Sequence, residues 1–384
     1  MTNDPAAGGP VTGGPAAGGP VADGPVTGGP VAGGPVTGGA VADAVVDLGA
    51  IRGSDAARVG PKMARLGQLA ADGWRVPDGY AVTAGALNGW LPPDARAELA
   101  RLFSAPGARG LSGGQEELAR LAEAAREIVE SRRLPGWLED AVAAAQERLT
   151  ARTGRGPGLR VAVRSSAVSE DGQAASFAGQ YSTYLGVSGT EDVLLHIRRC
   201  WASGFSPHAL AYRRRFGGAS PVRVHDLAVG VLELVDARSA GVAFTLDPVT
   251  GDRSTLVVEG NWGYGESVVS GHVSPDHWTV DRASMRVLTA RTGAKRTWAV
   301  AAGPAGRISL EPLPADLAGR PCLTGDEVRL ICEQAAAIEA AAGGLPQDVE
   351  WAVARDRELP DSLYILQHRP ETTWGPAAGE PGRP

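Results

Sequence analysis

Arg164 ends a mostly apolar segment, Leu159–Val163, and stands directly before two serines, Ser165 and Ser166. A cation at the end of a buried strand loses its hydration, which is costly unless an anion lies beside it. Two interpretations are open from these residues: a salt bridge to an Asp or Glu of the chain, or a bound polyanion. The small and hydroxyl-bearing residues that follow, up to Gly179, leave room and hydrogen-bond donors for a triphosphate.

A second group of polar residues lies near the carboxyl terminus, in two segments with the alternation of β-strands. This alternation puts Asp348 and Glu350 on one face of the first segment, and Gln367 and Arg369 on one face of the second. If the segments pair as a hairpin, Glu350 and Gln367 could offer oxygen ligands to a hard cation, with Arg369 beside them for phosphate. The alternative is an ordinary edge hairpin with a solvated polar face.

Lys62 is the third candidate, because it follows Gly60-Pro61 at a predicted helix start. The free backbone N–H groups and the dipole of a helix favour an anion at that end. The alternative is a surface lysine, which is common at helix starts.

The elements that must position these residues are a mixture of helices and strands. Helical spacing of apolar residues predicts helices after Gly60-Pro61, twice between 115 and 149, over 190–205 and over 324–343. Strands are predicted over 159–167, 224–235, 239–247, from 253 onward, over 348–354 and over 363–369. This mixture predicts an α/β or α+β fold.

Composition excludes several classes of protein. The formal net charge of −6 argues against a nucleic-acid partner, and no segment reaches the roughly 18 apolar residues of a membrane span. Three scattered cysteines favour a reducing cytoplasm, and no secretory signal is visible. The sequence has no Walker motif, no Gly-x-Ser-x-Gly elbow and no histidine spacing typical of zinc sites.

Both ends of the chain have the composition of disordered segments. Proline recurs at every fifth position from Pro5 to Pro35, mostly within Gly-Gly-Pro-Val repeats. Such a sequence has almost no large apolar side chains with which to offset the entropy of ordering. We therefore predict disordered tails over 1–43 and 375–384, without a catalytic role.

Four long segments together resemble the ATP-binding amino-terminal domain of the phosphoenolpyruvate synthase and pyruvate phosphate dikinase family, which includes rifampicin phosphotransferase. The segments are 59–83, 161–187, 241–276 and the pair "QDVEWAVA" and "LYILQHRPETT", in the order of the family. The resemblance covers nearly everything from about residue 45 to 374. It implies an ATP-grasp-like fold, with a first lobe over 44–225, a second over 226–374, and ATP in the cleft between them.

The resemblance also implies roles for individual residues. Lys62 and Arg164 would bind ATP phosphates, Gly179 and Thr183 would line the same pocket, and Glu350 and Gln367 would lie at the Mg²⁺ and phosphate end. Arg369 would contact phosphate, and Arg164 and Arg369 are the candidate catalytic residues. Phosphoryl transfer needs such positioning and charge stabilisation. The cationic side chains are expected to stay unpaired within the protein until Mg-ATP arrives.

The sequence departs from the family pattern in four respects. Pro61 replaces a glycine, Leu232 replaces a glutamine near the nucleotide, and the loop between Glu350 and Gln367 is longer than usual. The phosphohistidine signature of the family is absent from these 384 residues.

The resulting hypothesis is a Mg-ATP-dependent phosphotransferase subunit that passes a phosphoryl or pyrophosphoryl group to a histidine on a separate partner protein. Two alternatives are a nucleotide-binding module without turnover, which Pro61 and Leu232 suggest, and a stand-alone kinase acting on a small molecule. The product separates the hypotheses, since the family reaction releases AMP and a simple kinase releases ADP.

Overall fold

The computed structural model describes residues 43–104, 115–168, 182–207, 209–211, 227–271, 273–302 and 307–374, which belong to one compact unit. Gly179, the predicted tail over 375–384, and the predicted amino-terminal tail except residue 43 lie outside the described residues.

The first lobe is built on a five-stranded sheet with the order β1-β2-β5-β3-β4. Its strands are β1 (Val45–Asp47), β2 (Gly79–Val82), β3 (Arg160–Ala167), β4 (Thr183–Ser188) and β5 (Leu227–Glu233). Its helices are α1 (Ala56–Ala71), α2 (Ala84–Trp90), α3 (Pro93–Ser104), α4 (Gln115–Glu130), α5 (Gly136–Thr153) and α6 (Thr190–Ser203).

The two faces of this sheet have different surroundings, and β3 shows the difference. Val161 and Val163 are fully buried in the core formed with helices α2 to α6, where Trp90 and Trp201 stack at 5.0 Å between ring centroids. The alternate residues, Arg160 and Arg164, are only partly buried on the opposite face. Val161 and Val163 therefore pack in this core, and the arginines lie on the opposite face.

Helix α1 packs on that opposite face and has a sharp break near its start. Gly60 has φ 74° and ψ 157°, and Pro61 begins the regular part of the helix. Proline suits the first turn of a helix, because its fixed φ is helical and the missing N–H has no helical acceptor there. The proline that departs from the family pattern is thus accommodated at a helix start.

The second lobe is built on a six-stranded sheet with the order β13-β12-β6-β7-β8-β9, accompanied by a separate hairpin of β10 and β11. Its strands are β6 (Ala237–Phe244), β7 (Thr255–Trp262), β8 (Asp276–Asp281), β9 (Val287–Arg291), β10 (Thr297–Ala302), β11 (Arg307–Pro312), β12 (Gln347–Ala354) and β13 (Leu363–Pro370). Its helices are α7 (Glu266–Val269), α8 (Ala315–Ala318) and α9 (Gly325–Ala341). Helix α9 covers one face of this sheet, with Ile331 and Ile338 in the same core as Trp351.

All named strands pair antiparallel, so the fold is α+β within the predicted class. The predicted boundary between lobes at residue 225 places β5 in the second lobe. In the structure β5 lies between β2 and β3 of the first sheet, and the chain enters the second sheet with β6. The division between the sheets therefore follows Glu233, because β5 is held by backbone hydrogen bonds on both of its edges.

Cys200, Cys322 and Cys332 are buried and form no disulfide. Within the described ranges, no helix is both long enough and apolar enough to span a bilayer.

A buried ion pair fixes the loops at one end of the second sheet. Lys295 Nζ bonds to Asp276 Oδ1, and both side chains are 0% exposed. Lys295 also donates to the carbonyl of Arg320 at 2.8 Å, and Asp276 accepts from the backbone N–H of Gly293 at 2.8 Å and of Cys322 at 2.7 Å. Each charge is therefore compensated by several hydrogen bonds.

We expect Lys295→Met to lower the free energy of unfolding by about 3 to 5 kcal/mol, because it leaves the Asp276 carboxylate buried without its cation. The measurement is urea unfolding followed by circular dichroism. The control is Arg329→Met on α9, whose ion pair with Glu333 is exposed and whose loss should cost less than about 1 kcal/mol. Equal unfolding midpoints for the two variants would contradict the structural role of the pair.

Gly60→Ala should lower the melting temperature more than Gly73→Ala. Both glycines have positive φ, 74° and 88°, so both alanines pay a similar backbone cost. A Cβ at Gly60 would lie 2.2 Å from Ser166 Oγ, whereas a Cβ at Gly73 would meet no atom within 4 Å. The difference measured by calorimetry therefore reports the close approach of α1 to β3, and equal melting temperatures would show that this approach is not required.

Candidate functional site

The predicted hairpin of β12 and β13 is confirmed, with Glu350 opposite Gln367 and Asp348 opposite Arg369. Directly opposite residues share a face of the sheet, so these four side chains lie together. Gln367 Nε2 donates to Glu350 Oε1 at 2.9 Å. The amide oxygen of Gln367 is thereby directed away from Glu350, and it meets the other lobe.

Arg164 reaches across from the first lobe to this hairpin. Its Nη2 donates to Gln367 Oε1, so an arginine of β3 and a glutamine of β13, 203 residues apart, are in direct contact. The Nε of Arg164 is buried and has no hydrogen-bond partner in the described part of the chain. The hydrogen-bond partner of Nη2 is a neutral amide rather than a carboxylate, so the internal salt bridge that the sequence left open is not seen among the described residues.

Arg369 differs from the expectation that it stays unpaired. Its Nε and Nη2 both donate to Asp348 Oδ2, at 2.8 and 2.6 Å. The expectation is therefore wrong for this residue, because the strand pairing that brings Arg369 to the site also puts a carboxylate directly opposite it. The Arg369 side chain as a whole is 41% exposed.

Asp348 is the residue to which the sequence assigned no role. Its carboxylate is almost fully buried, and Oδ1 has no hydrogen-bond partner among the described residues. Burial raises the pKa of Asp348 above its usual range, and the adjacent Arg369 opposes this rise. The alternation that placed Asp348 on the face of Glu350 was the signal for its presence here.

Lys62 lies in the first turn of the regular part of α1, beside the end of β3. In this turn the backbone N–H of Met63 donates to Ser166 Oγ at 3.4 Å, and Gly60 approaches the backbone of Ser166 closely. This arrangement directs the amino-terminal end of the helix towards the strand that carries Arg164. The Lys62 side chain is half-buried.

The remaining predicted residues have different positions. Thr183 begins β4 directly opposite Arg164 and is exposed, whereas Gly179 lies outside the described residues. Leu232, which the resemblance sets in place of a glutamine, is 3% exposed in the core between α1 and the second lobe. Leu232 therefore provides packing rather than a polar contact.

A cavity of about 470 Å³ lies where the two lobes join, and its lining includes none of the predicted phosphate or magnesium residues. It is lined by Arg160, Glu233, Asp236, Tyr264, Trp298 and neighbouring residues. Arg160 and Arg164 lie on the same face of β3, and four residues of strand span roughly 13 Å. The cavity and the cluster at Arg164 therefore lie at opposite ends of the same face of β3.

The cluster has the chemistry of a polyphosphate site. Guanidinium groups bind phosphate oxygens through paired hydrogen bonds, and a helix start adds backbone donors. No cluster of three His, Cys, Asp or Glu residues that could hold a metal occurs in the described ranges. A magnesium ion bound with a nucleotide requires only one or two protein carboxylates, and Glu350 supplies one in this cluster.

His368 lies next to this cluster but on the other face of β13. Burial, with a contribution from the charge of Arg65, lowers the pKa of His368 to about 4. The side chain is therefore neutral at neutral pH. Its Nδ1 lies 2.9 Å from Gln347 Oε1, so His368 belongs to the packing behind the site.

Known proteins with similar sequences share this part of the chain. A probable phosphoenolpyruvate synthase from Staphylothermus marinus is 34% identical over 354 residues, which cover 86% of this chain and 41% of that protein. A rifampicin phosphotransferase from a Streptomyces species is 40% identical over 335 residues, covering 86% of this chain and 36% of that protein. The prodigiosin synthesizing transferase PigC from Serratia marcescens is 34% identical over 329 residues, covering 86% of this chain and 33% of that protein.

This chain spans about two fifths or less of the length of these three relatives. Its residues 56–382 match the family described as the pyruvate phosphate dikinase AMP/ATP-binding domain. The match covers most of the chain and includes Lys62, Arg164, Glu350, Gln367 and Arg369. The chain therefore belongs to the pyruvate phosphate dikinase AMP/ATP-binding domain family.

Proposed function

We propose that this chain is the ATP-binding part of a phosphotransferase, which passes a phosphoryl or pyrophosphoryl group from Mg-ATP to a histidine outside these 384 residues. One observation supports this most directly: the guanidinium of Arg164 is partly buried at the junction of the lobes, and its Nε has no partner in the described part of the chain. A phosphate oxygen would complete its hydrogen bonds and neutralise its charge.

Lys62 and Arg164 would hold the phosphates from the side of the first lobe. The start of α1 offers its backbone N–H groups, and Arg164 stands at the adjacent end of β3. Arg369, whose side chain is partly exposed, would contact phosphate from the second lobe. Thr183 and Gly179 would line the same pocket. Positive groups from both lobes would stabilise the charge that develops during transfer.

Glu350 and Gln367 would hold Mg²⁺. The Glu350 carboxylate and the Gln367 amide are hydrogen-bonded to each other, and on the same face lies an oxygen of Asp348 that has no hydrogen-bond partner in the described part of the chain. Oxygen ligands of this kind suit a hard cation. Bound Mg²⁺ supplies charge neutralisation at the phosphate oxygens.

The nucleoside would occupy the cavity at the junction of the lobes. Tyr264 and Trp298 provide aromatic surface, and Glu233 and Asp236 provide acceptors. The spacing of roughly 13 Å between Arg160 and Arg164 along β3 suits a nucleotide that extends from this cavity to the phosphate cluster.

The histidine would lie outside these 384 residues, which do not contain the phosphohistidine signature, and a separate partner protein is the acceptor that we propose. The three relatives have different names although the same part of each matches this chain. We therefore place the choice of final acceptor outside the matched part.

The products of the reaction test this function. We expect the chain with Mg-ATP and a protein containing a phosphohistidine domain to release AMP, measured by anion-exchange chromatography, and to label the partner's histidine. Tight ATP binding without any turnover would instead favour the nucleotide-binding module. Release of ADP without a partner protein would favour the small-molecule kinase.

Arg164→Ala should raise the Kd for Mg-ATP roughly tenfold to hundredfold, because a charge-assisted hydrogen bond to phosphate contributes about 1.5 to 3 kcal/mol. Titration calorimetry gives this Kd. The control is Arg126→Ala on α4, whose ion pairs with Glu123 and Glu130 are exposed and lie within that helix. If both variants bind Mg-ATP as the parent protein does, Arg164 does not contact the nucleotide.

A further inference from the structure

Strand β13 carries Gln367 and Arg369, and it lies at the edge of the six-stranded sheet. An edge strand has backbone groups that no neighbouring strand satisfies. In this protein the first lobe satisfies one of them: the backbone N–H of Ile365 donates to the carbonyl of Arg75 at 2.9 Å. Arg75 lies in the segment between α1 and β2.

The side chain of Arg75 makes two more contacts with the second lobe. Its Nη2 donates to Asp361 Oδ1 at 2.5 Å, in the loop between β12 and β13. Its guanidinium carbon lies 5.5 Å from the centroid of the Tyr364 ring, a cation–π contact. Arg75 of the first lobe therefore contacts three residues of the second lobe: Asp361, Tyr364 and Ile365.

These three residues precede Gln367, the residue that Arg164 contacts. The pairing of β12 with β13 shifts between Glu350 and Trp351, which stand opposite Gln367 and Ile365, so Leu366 is an extra residue at a bulge. A bulge changes the direction of the strand that contains it. Arg75 fixes the residue on one side of the bulge, and Gln367 is the residue on its other side.

The other end of the same loop is also attached to the first lobe. Arg155 lies 3.3 Å from Asp356, and it also bonds to Glu233 at the end of β5 at 3.1 Å. Glu358 lies between the two attached aspartates and makes no ion pair with a described residue. The loop thus contains two aspartates that form ion pairs with the first lobe, and Glu358, which forms none with a described residue, for comparison.

We propose that Arg75 is a positioning residue that fixes the edge of β13 so that Gln367 faces Arg164. This inference rests on the proposed function only for its consequence for ATP; the attachment of β13 to the first lobe is independent of it. Loss of the Arg75 side chain would leave only the backbone hydrogen bond to Ile365, so the strand would move more freely at the bulge, and Glu350 and Gln367 would lose part of their alignment with Arg164.

The experiment compares Arg75→Ala, Arg75→Lys and Asp361→Asn in the full chain. We expect Arg75→Ala to raise the Kd for Mg-ATP about threefold to tenfold, the effect of an exposed ion pair together with a cation–π contact. Arg75→Lys retains the charge and should recover part of the affinity, and Asp361→Asn should weaken binding less than Arg75→Ala. Amide exchange at Ile365 and Gln367 should be faster in Arg75→Ala than in the parent protein.

Two control variants separate this role from general stability. Arg329→Ala removes an exposed arginine with an ion pair inside the second lobe, and Glu358→Gln removes an unattached charge from the same loop. Neither should change the Kd or the exchange at Ile365. Unchanged exchange at Ile365 and unchanged Kd in Arg75→Ala would overturn the proposal.

The two proposals fail in different ways. If the parent protein does not bind Mg-ATP, the proposed function fails, and exchange at Ile365 and Gln367 alone decides the role of Arg75. If the parent protein binds Mg-ATP and Arg75→Ala changes neither measurement, only the positioning role fails.

Discussion

The candidate site depends on one contact between the lobes, in which Arg164 of the first lobe donates a hydrogen bond to Gln367 of the second. A guanidinium at the end of a core strand needs compensation for its lost hydration, and a neutral amide supplies only part of it. The remaining donor, Nε, is buried without a partner in the described part of the chain. This incomplete pairing distinguishes Arg164 from Arg369, which a buried carboxylate holds.

The packing of apolar residues in the two cores determines where the polar residues of this contact lie. Each lobe has a sheet whose one face packs against helices, as Val161 does in the first lobe and Trp351 in the second. Because strand residues alternate between faces, the polar residues between them are left on the opposite face. The polar clusters at Arg164 and at Glu350 therefore result from the same alternation that builds the two cores.

The family assignment concerns the part of each relative that matches this chain, whereas the complete proposed reaction also involves residues outside that part. The relatives matched here have the names of a synthase, an antibiotic phosphotransferase and a pigment-synthesizing transferase, and each matches this chain over only part of its length. A fold hosts different functions through the sites added to it. We propose that a shared ATP-binding part joined to different acceptor parts accounts for these names, and that the contacts of Arg75 help to align the lobes in this chain.

Local periodicity in the sequence determined much of the protein: the helix start at Gly60-Pro61, the alternation on β3, and the hairpin that pairs Glu350 with Gln367. These features depend on neighbouring residues or on one short loop, so a pattern along the chain is sufficient to predict them. Only the tertiary structure decided that β5 joins the first sheet and that Arg164 meets Gln367. Those pairings join segments far apart in the chain, and many partners satisfy the same local pattern until the packing of both cores selects one.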